Sequence, residues 1–180
     1  MRRALSSTDD RDLLRAERDV VARMAELGVD VDLDFASMAV VANVFRVAST
    51  ARGHLERTVL ADVGLSFSAF TVMWVLWIWG EAETRDLAID AGITKGTLTG
   101  VVGTLERRGF VVRRRASTDG RLVRVASTPD GDALMASVFG RFNEGEARIV
   151  AALDEGEARQ LAHLLRTILR SMDPEVADER

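Results

Sequence analysis

Residues 84–110 read TRDLAIDAGITKGTLTGVVGTLERRGF, and this stretch decides the fold. Leu87 and Ala88, then Ala91, Gly92 and Ile93, then Leu98 and Val101 give two short helices with apolar faces on either side of a glycine turn. A helix-turn-helix demands these features. It needs a small residue where two helices cross closely, a glycine free to turn left-handed, and apolar residues that hold the pair at a fixed angle. The pattern predicts helices over 84–91 and 95–108, with Thr94 capping the second and Gly109 stopping it. A plain helical hairpin meets the same spacing, so the sequence that follows matters. Residues 110–115 and 121–127 are β-rich runs joined by ASTDG at 116–120, a hairpin dense in arginine. Beside a glycine-stopped helix, such a hairpin reads as a wing.

Outward from this centre the periodicity is helical. Residues 7–27 place Leu13, Val20, Met24 and Leu27 at helical spacing after Ser7, a candidate N-cap. Residues 28–33 read as a connector. From Asp34 to Asp62 a three-or-four spacing of apolar residues predicts a helix long enough to need a partner. Gly64 closes it, and Ser66 caps a helix over 67–79 that is apolar on all sides and expected to be enclosed. Thr128-Pro129 starts a long helix running to about Leu153. Asp154 and Glu157 then form a capping-box start for a last helix striped with Leu161, Leu164, Leu165, Ile168 and Met172. The fold class is mainly α with a small β-hairpin wing, in the order α-α-α-α-α-β-β-α-α.

Composition excludes several functions. The 180 residues contain no cysteine, so disulfides, thiolate ligands and thiol nucleophiles are ruled out. The two histidines, His54 and His163, lie far apart without ligand-spaced neighbours, so neither a metal nor a cofactor is expected. No nucleophile elbow, phosphate loop or catalytic carboxylate pair is present, and an enzyme is not expected. Nothing after Arg2 and Arg3 resembles the apolar core of a signal peptide, and the run 67–79 is too short to span a bilayer; the expected location is the cytoplasm. The net charge of −4 hides an asymmetry: residues 95–124 carry +6, leaving −10 for the remainder. A basic island on an acidic body draws a polyanion to one face and repels it elsewhere.

Residues 65–131 resemble the DNA-binding lobe of the MarR (multiple-antibiotic-resistance regulator) family. The likeness rests on Leu65-Ser66, Leu87-Ala88 before Gly92-Ile93, TKGTLT at 94–99, LERRGFV at 105–111, Asp119-Gly120-Arg121 in the wing and TPDG at 128–131. It implies a single MarR-like domain over 1–180, with N-terminal dimerisation helices at 7–62, a winged helix-turn-helix lobe at 65–128 and C-terminal dimerisation helices at 129–173. It further implies a homodimer that sets two recognition helices into successive major grooves of a pseudo-palindromic operator, with wings reaching the minor groove. The helix before Gly28 is longer than the family pattern.

The helix 95–108 departs from that pattern. Leu98, Val101, Val102 and Leu105 face inward, leaving Gly96, Gly100, Gly103 and Arg107 along the outward stripe. Few side chains remain to read bases, so thymine-methyl contacts from threonines and shape readout by the wing are expected to carry specificity, with arginines gripping phosphate. The expected DNA contacts are Arg85, Thr94, Lys95, Thr97, Thr99, Thr104, Arg107, Arg113, Arg115 and Arg121. The glycine stripe equally permits a winged-helix protein-interaction module with weak or lost DNA binding. The resemblance also implies a repressor released by a small aromatic acid or phenol. Phe45, Arg46, His54, Phe70, Trp74 and Trp77 are the candidate pocket residues, although core packing explains the tryptophans as well.

Overall fold

The computed structural model describes residues 15–28, 34–115 and 123–172. These form seven α-helices and a three-stranded antiparallel sheet, in two compact units that divide between Thr50 and Ala51. The expected Ser7 cap, most of the 28–33 connector and the wing tip 116–122 lie outside the described residues.

In the N-terminal unit, α1 (Arg15–Glu26) ends at Gly28, whose φ of 61° gives the left-handed exit expected of a glycine. Asp34 starts α2 (Phe35–Leu55), its two carboxylate oxygens accepting from the Ser37 amide at 3.0 Å and hydroxyl at 2.7 Å. Glu17 ties the two helices by accepting from Asn43 Nδ2 at 2.7 Å. Val40, Val41, Val44, Phe45 and Val47 all stand exposed on α2.

The helix expected to run unbroken from 34 to 62 instead changes its winding. After Leu55 comes a π turn (Glu56–Leu60), then a 3-10 turn (Ala61–Val63), and Gly64 at φ 61° ends the run. The extra residue in the wider turn re-phases the chain so that consecutive Val59 and Leu60 are both buried. It also places Glu56 to accept from the first amide of α3 (Phe67–Trp79), at 2.7 Å.

Ser66 caps α3 as expected, accepting from the Ala69 amide at 3.2 Å. This helix is the centre of the C-terminal unit: Phe70, Val72, Met73, Val75 and Leu76 are buried. It is not enclosed all round, however, because its last turn projects past the core and leaves Ile78 and Trp79 exposed, Trp79 by 61%. Around it pack α4 (Thr84–Asp90), α5 (Lys95–Arg107), the sheet and α6 (Pro129–Ile149). Leu87, Leu105, Val125 and Met135 join the core from these neighbours.

The hairpin of β2 (Val111–Arg115) and β3 (Val123–Ser127) forms in register, Val111 opposite Ser127 and Arg115 opposite Val123. A third strand, β1 (Ala82–Glu83), adds to β3 with Ala82 opposite Val125. Two residues carry no period-2 pattern, which is why this strand is invisible in the sequence.

Thr128 caps α6 by accepting from the Gly131 amide at 3.1 Å. Gly131 is required by space: a Cβ there would sit 2.2 Å from the carbonyl oxygen of Phe110. Helix α6 stops at Ile149, short of the expected Leu153, because the chain must turn before Asp154 to start α7 (Glu155–Met172). The capping box there is reciprocal, Asp154 and Glu157 each accepting from the other's amide at 2.9 Å. The apolar stripe of α7 is exposed along its length, from Leu161 to Met172. Among the described residues no single helix is long and apolar enough to cross a membrane.

Candidate nucleic-acid interface

Helices α4 and α5 meet through the turn at Ala91, Gly92 and Ile93. Gly92 sits at φ 64°, while Leu87, Ala88, Ala91, Leu98, Val102 and Leu105 are buried beneath the pair. This is the expected helix-turn-helix; Val101 alone of the inward set is only half-buried. Thr94 caps α5, its hydroxyl oxygen accepting from the Thr97 amide at 3.2 Å and lying 2.9 Å from the Thr97 hydroxyl.

The outward face of α5 is open. Gly96, Thr97, Thr99, Gly100, Thr104 and Arg107 are exposed and Gly103 half-buried. A Cβ at Gly100 would meet nothing within 4 Å, so no contact among the described residues requires glycine there. Thr99 and Thr104 donate their hydroxyls back to the carbonyls of Lys95 at 2.9 Å and Gly100 at 3.0 Å. That arrangement fixes each rotamer. Arg107 donates to Thr104 Oγ1 at 3.0 Å, so the two form a fixed pair on this face.

Alongside α5 the chain forms a cleft of about 400 Å³ lined by Arg85, Lys95, Thr99 and Arg113, with Thr84, Leu98, Val102 and Val123. Four of the expected contact residues, from α4, α5 and β2, are thus brought together. Arg113 is paired with Glu106, whose carboxylate accepts at 2.9 Å, so part of its charge is balanced within the fold. Arg115 ends β2, and Arg121, with its neighbour Asp119, belongs to the tip outside the described residues.

The basic island is smaller than its arginine count. Arg108 turns away from the outward face, donating to the carbonyls of Gly64 and Val63 and covering the ring of Phe110 with its guanidinium carbon 4.8 Å from the centroid. Arg114 and Arg124 are directly opposite across the hairpin, and Glu81 bridges them at 3.2 and 3.4 Å. Like charges facing one another on a sheet are destabilising, and the carboxylate relieves this. Glu81 lies just before the β1 strand that the sequence does not disclose, so this neutralisation was hidden with it.

A second feature is an apolar cavity of about 330 Å³ lined by Leu55, Phe67, Phe70, Thr71, Trp74, Phe139, Phe142 and Glu146. Phe70 stacks on Phe142 with centroids 3.9 Å apart, and Trp74 on Phe139 at 4.8 Å. Of the six expected pocket residues, Phe70 and Trp74 line it. Trp77 contacts Phe139 at 5.7 Å between centroids and borders a neighbouring recess. His54 is half-buried without lining the cavity. Phe45 and Arg46 belong to the N-terminal unit, where Phe45 is 70% exposed and Arg46 donates to Asn43 Oδ1 at 3.3 Å. Sequence reasoning missed Leu55, Phe67, Thr71, Phe139, Phe142 and Glu146. Phe139 and Phe142 lie one turn apart on α6, but their register against α3 is a tertiary fact.

Residues 65–123 match the MarR family. An HTH-type transcriptional regulator of Bacillus subtilis (strain 168), YwaE, is 31% identical over 87% of this chain and 91% of its own length. The homoprotocatechuate degradative operon repressor of Escherichia coli is 32% identical over 48% of this chain and 59% of its own. Among solved structures, BpsR of Bordetella bronchiseptica, whose DNA binding is regulated by 6-hydroxynicotinic acid, superposes with a TM-score of 0.67 at 24% identity, covering 72% of this chain and 97% of its own. The chain belongs to the MarR family of winged helix-turn-helix transcription regulators, and it is a DNA-binding regulator.

Proposed function

We propose that the chain acts as a homodimeric, sequence-specific repressor that grips double-stranded DNA and is released when a small aromatic molecule enters the Phe70–Trp74 cavity. The observation that carries the DNA reading is the cleft that gathers Arg85, Lys95, Thr99 and Arg113 beside the open face of α5. Arg85, Lys95, Arg107, Arg113, Arg115 and Arg121 supply phosphate affinity in this reading. Thr97, Thr99 and Thr104 present methyl groups to thymine, and Thr94 fixes the start of the helix. The back-bonded hydroxyls of Thr99 and Thr104 support this, since a donor already committed leaves the methyl as the more informative surface.

Dimerisation is supported by the apolar faces that one chain leaves in water, on α2 and again on α7. Residues 7–62 and 129–173 are assigned to that interface and 65–128 to DNA. Two-fold symmetry then calls for half-sites roughly 10 bp apart. The repressor and effector parts draw on the Escherichia coli relative and on BpsR, and on an aromatic-walled cavity of ligand size in this chain. Such a protein works in the cytoplasm, needs no cofactor and performs no catalysis.

The test is electrophoretic mobility shift on the DNA upstream of the protein's own gene. A discrete complex whose log affinity falls steeply and linearly with log salt is expected. Failure to bind that DNA at low salt, with the protein folded and dimeric, would favour a protein-interaction module instead.

A further inference from the structure

The polar groups of the aromatic cavity point to a ligand of opposite character to an acid. Three side chains in its lining carry polar atoms, Glu146, Thr71 and Trp74, and only Glu146 is charged. Glu146 offers carboxylate oxygens, one of which already accepts from Asn143 Nδ2 at 3.2 Å. Thr71 donates its hydroxyl proton to the Ser68 carbonyl at 3.0 Å, so toward the cavity its oxygen has only lone pairs left. Interior amides of the walling helices are spent on their own ladders. Among the described residues the lining therefore presents one carboxylate, one hydroxyl oxygen and a single neutral donor, the Trp74 indole N–H, and no Lys, Arg or His.

A carboxylate ligand placed here would face the like charge of Glu146 with only the neutral Trp74 N–H to offset its desolvation. A positively charged ligand meets the reverse: a carboxylate at the wall and the electron-rich faces of aromatic rings. The wall already shows this preference, because Arg52 lies with its guanidinium carbon 5.4 Å from the centroid of Phe67. Arg52 does not line the cavity, and it donates to Ser68 Oγ at 3.2 Å. On these grounds we infer that the cavity binds a small aromatic ammonium cation, its ring among the phenylalanines and its N–H groups on Glu146 and Thr71. This assignment rests on the proposed effector role of the cavity and names the ligand class for it.

The test is calorimetric titration of the full-length dimer with 2-phenylethylamine, 3-phenylpropionate and 2-phenylethanol near neutral pH, with intrinsic tryptophan fluorescence as a second readout. The amine is expected to bind at least tenfold more tightly than the carboxylate. Glu146 is exposed, so its replacement leaves the core intact. Glu146→Gln should weaken the amine about tenfold and leave the alcohol unchanged, while Glu146→Lys should reverse the order of amine and carboxylate. Equal or tighter binding of the carboxylate to the native chain, indifference of the amine to Glu146→Gln, or no saturation by any probe would overturn the inference. Mobility shift with each probe separates it from the effector reading. Release of DNA by the carboxylate alone sinks the cation assignment and keeps the effector role, whereas tight amine binding without DNA release does the opposite.

Discussion

Arg108 donates to the carbonyl oxygen of Gly64 at 2.5 Å, across 44 residues of sequence. The bond ties the C-cap of α5 to the left-handed turn that opens onto α3, and a second bond from the same guanidinium reaches Val63 at 2.7 Å. The outward helix is thereby fixed at its far end as well as at its Thr94 cap. Replacing Arg108 by Ala removes both bonds and the cover over Phe110, and is expected to cost about 1.5 kcal/mol, the low end for charge-assisted bonds at a solvated site. The urea midpoint should fall with the slope unchanged. Arg108→Lys should recover only part, since one ammonium cannot reproduce a planar two-pronged donor. An unaltered midpoint for the alanine variant would refute this clamp.

Two glycines make a contrasting pair. Gly131→Ala drives a Cβ into the Phe110 carbonyl and against Ser127 and Met73, and should destabilise by about 3 kcal/mol, the upper range for overpacking. Gly100→Ala meets empty space within the chain and should stabilise by about 1 kcal/mol through helix propensity. If α5 enters the groove, the same Gly100→Ala protein should bind its operator more weakly despite the gain. Thermal melts paired with mobility shifts check both halves.

Glu81 holds Arg114 and Arg124 at once. Glu81→Gln keeps the shape and frees Arg114, while Arg124 keeps its pairing with Glu83 at 3.7 Å, so DNA should bind several-fold more tightly and the slope of log affinity against log salt should steepen by about 1. Fluorescence anisotropy over a salt series measures it. A slope equal to that of the native chain would mean Arg114 lies away from the phosphates.

Phe45 on α2 and Leu165 on α7 are exposed in one chain, so placing a charge at either costs the isolated fold little. Phe45→Asp and Leu165→Asp are each expected to shift the protein toward monomer in sedimentation velocity and to weaken operator binding in parallel. Dimers that persist in both variants would contradict the assignment of these faces.

Much of the architecture could be read in advance because it is local. Gly64, Gly92 and Gly109 mark left-handed turns, Ser66, Thr94 and Thr128 mark helix starts, and the Asp154–Glu157 box is complete within four residues. What escaped was non-local. The break at Leu55 reflects competition between continuing a helix and burying Val59 and Leu60 together, which depends on the neighbours of that turn. The β1 strand exists only because β3 has a free edge to pair with. The glycine face of α5 was legible as a stripe; that the space over Gly100 is open among the described residues, while Arg107 and Arg113 reach over Gly103, was not.

Sequence alone determined the order of helices, the wing and the family, since periodicity, capping and turn chemistry act over a few residues of chain. Only the folded molecule decided which arginines remain turned outward and which rings close a cavity. Those outcomes follow from side chains tens of residues apart, such as Glu81 with Arg114 or Phe70 with Phe142, whose interaction energies exist only once packing has brought them within a few ångströms.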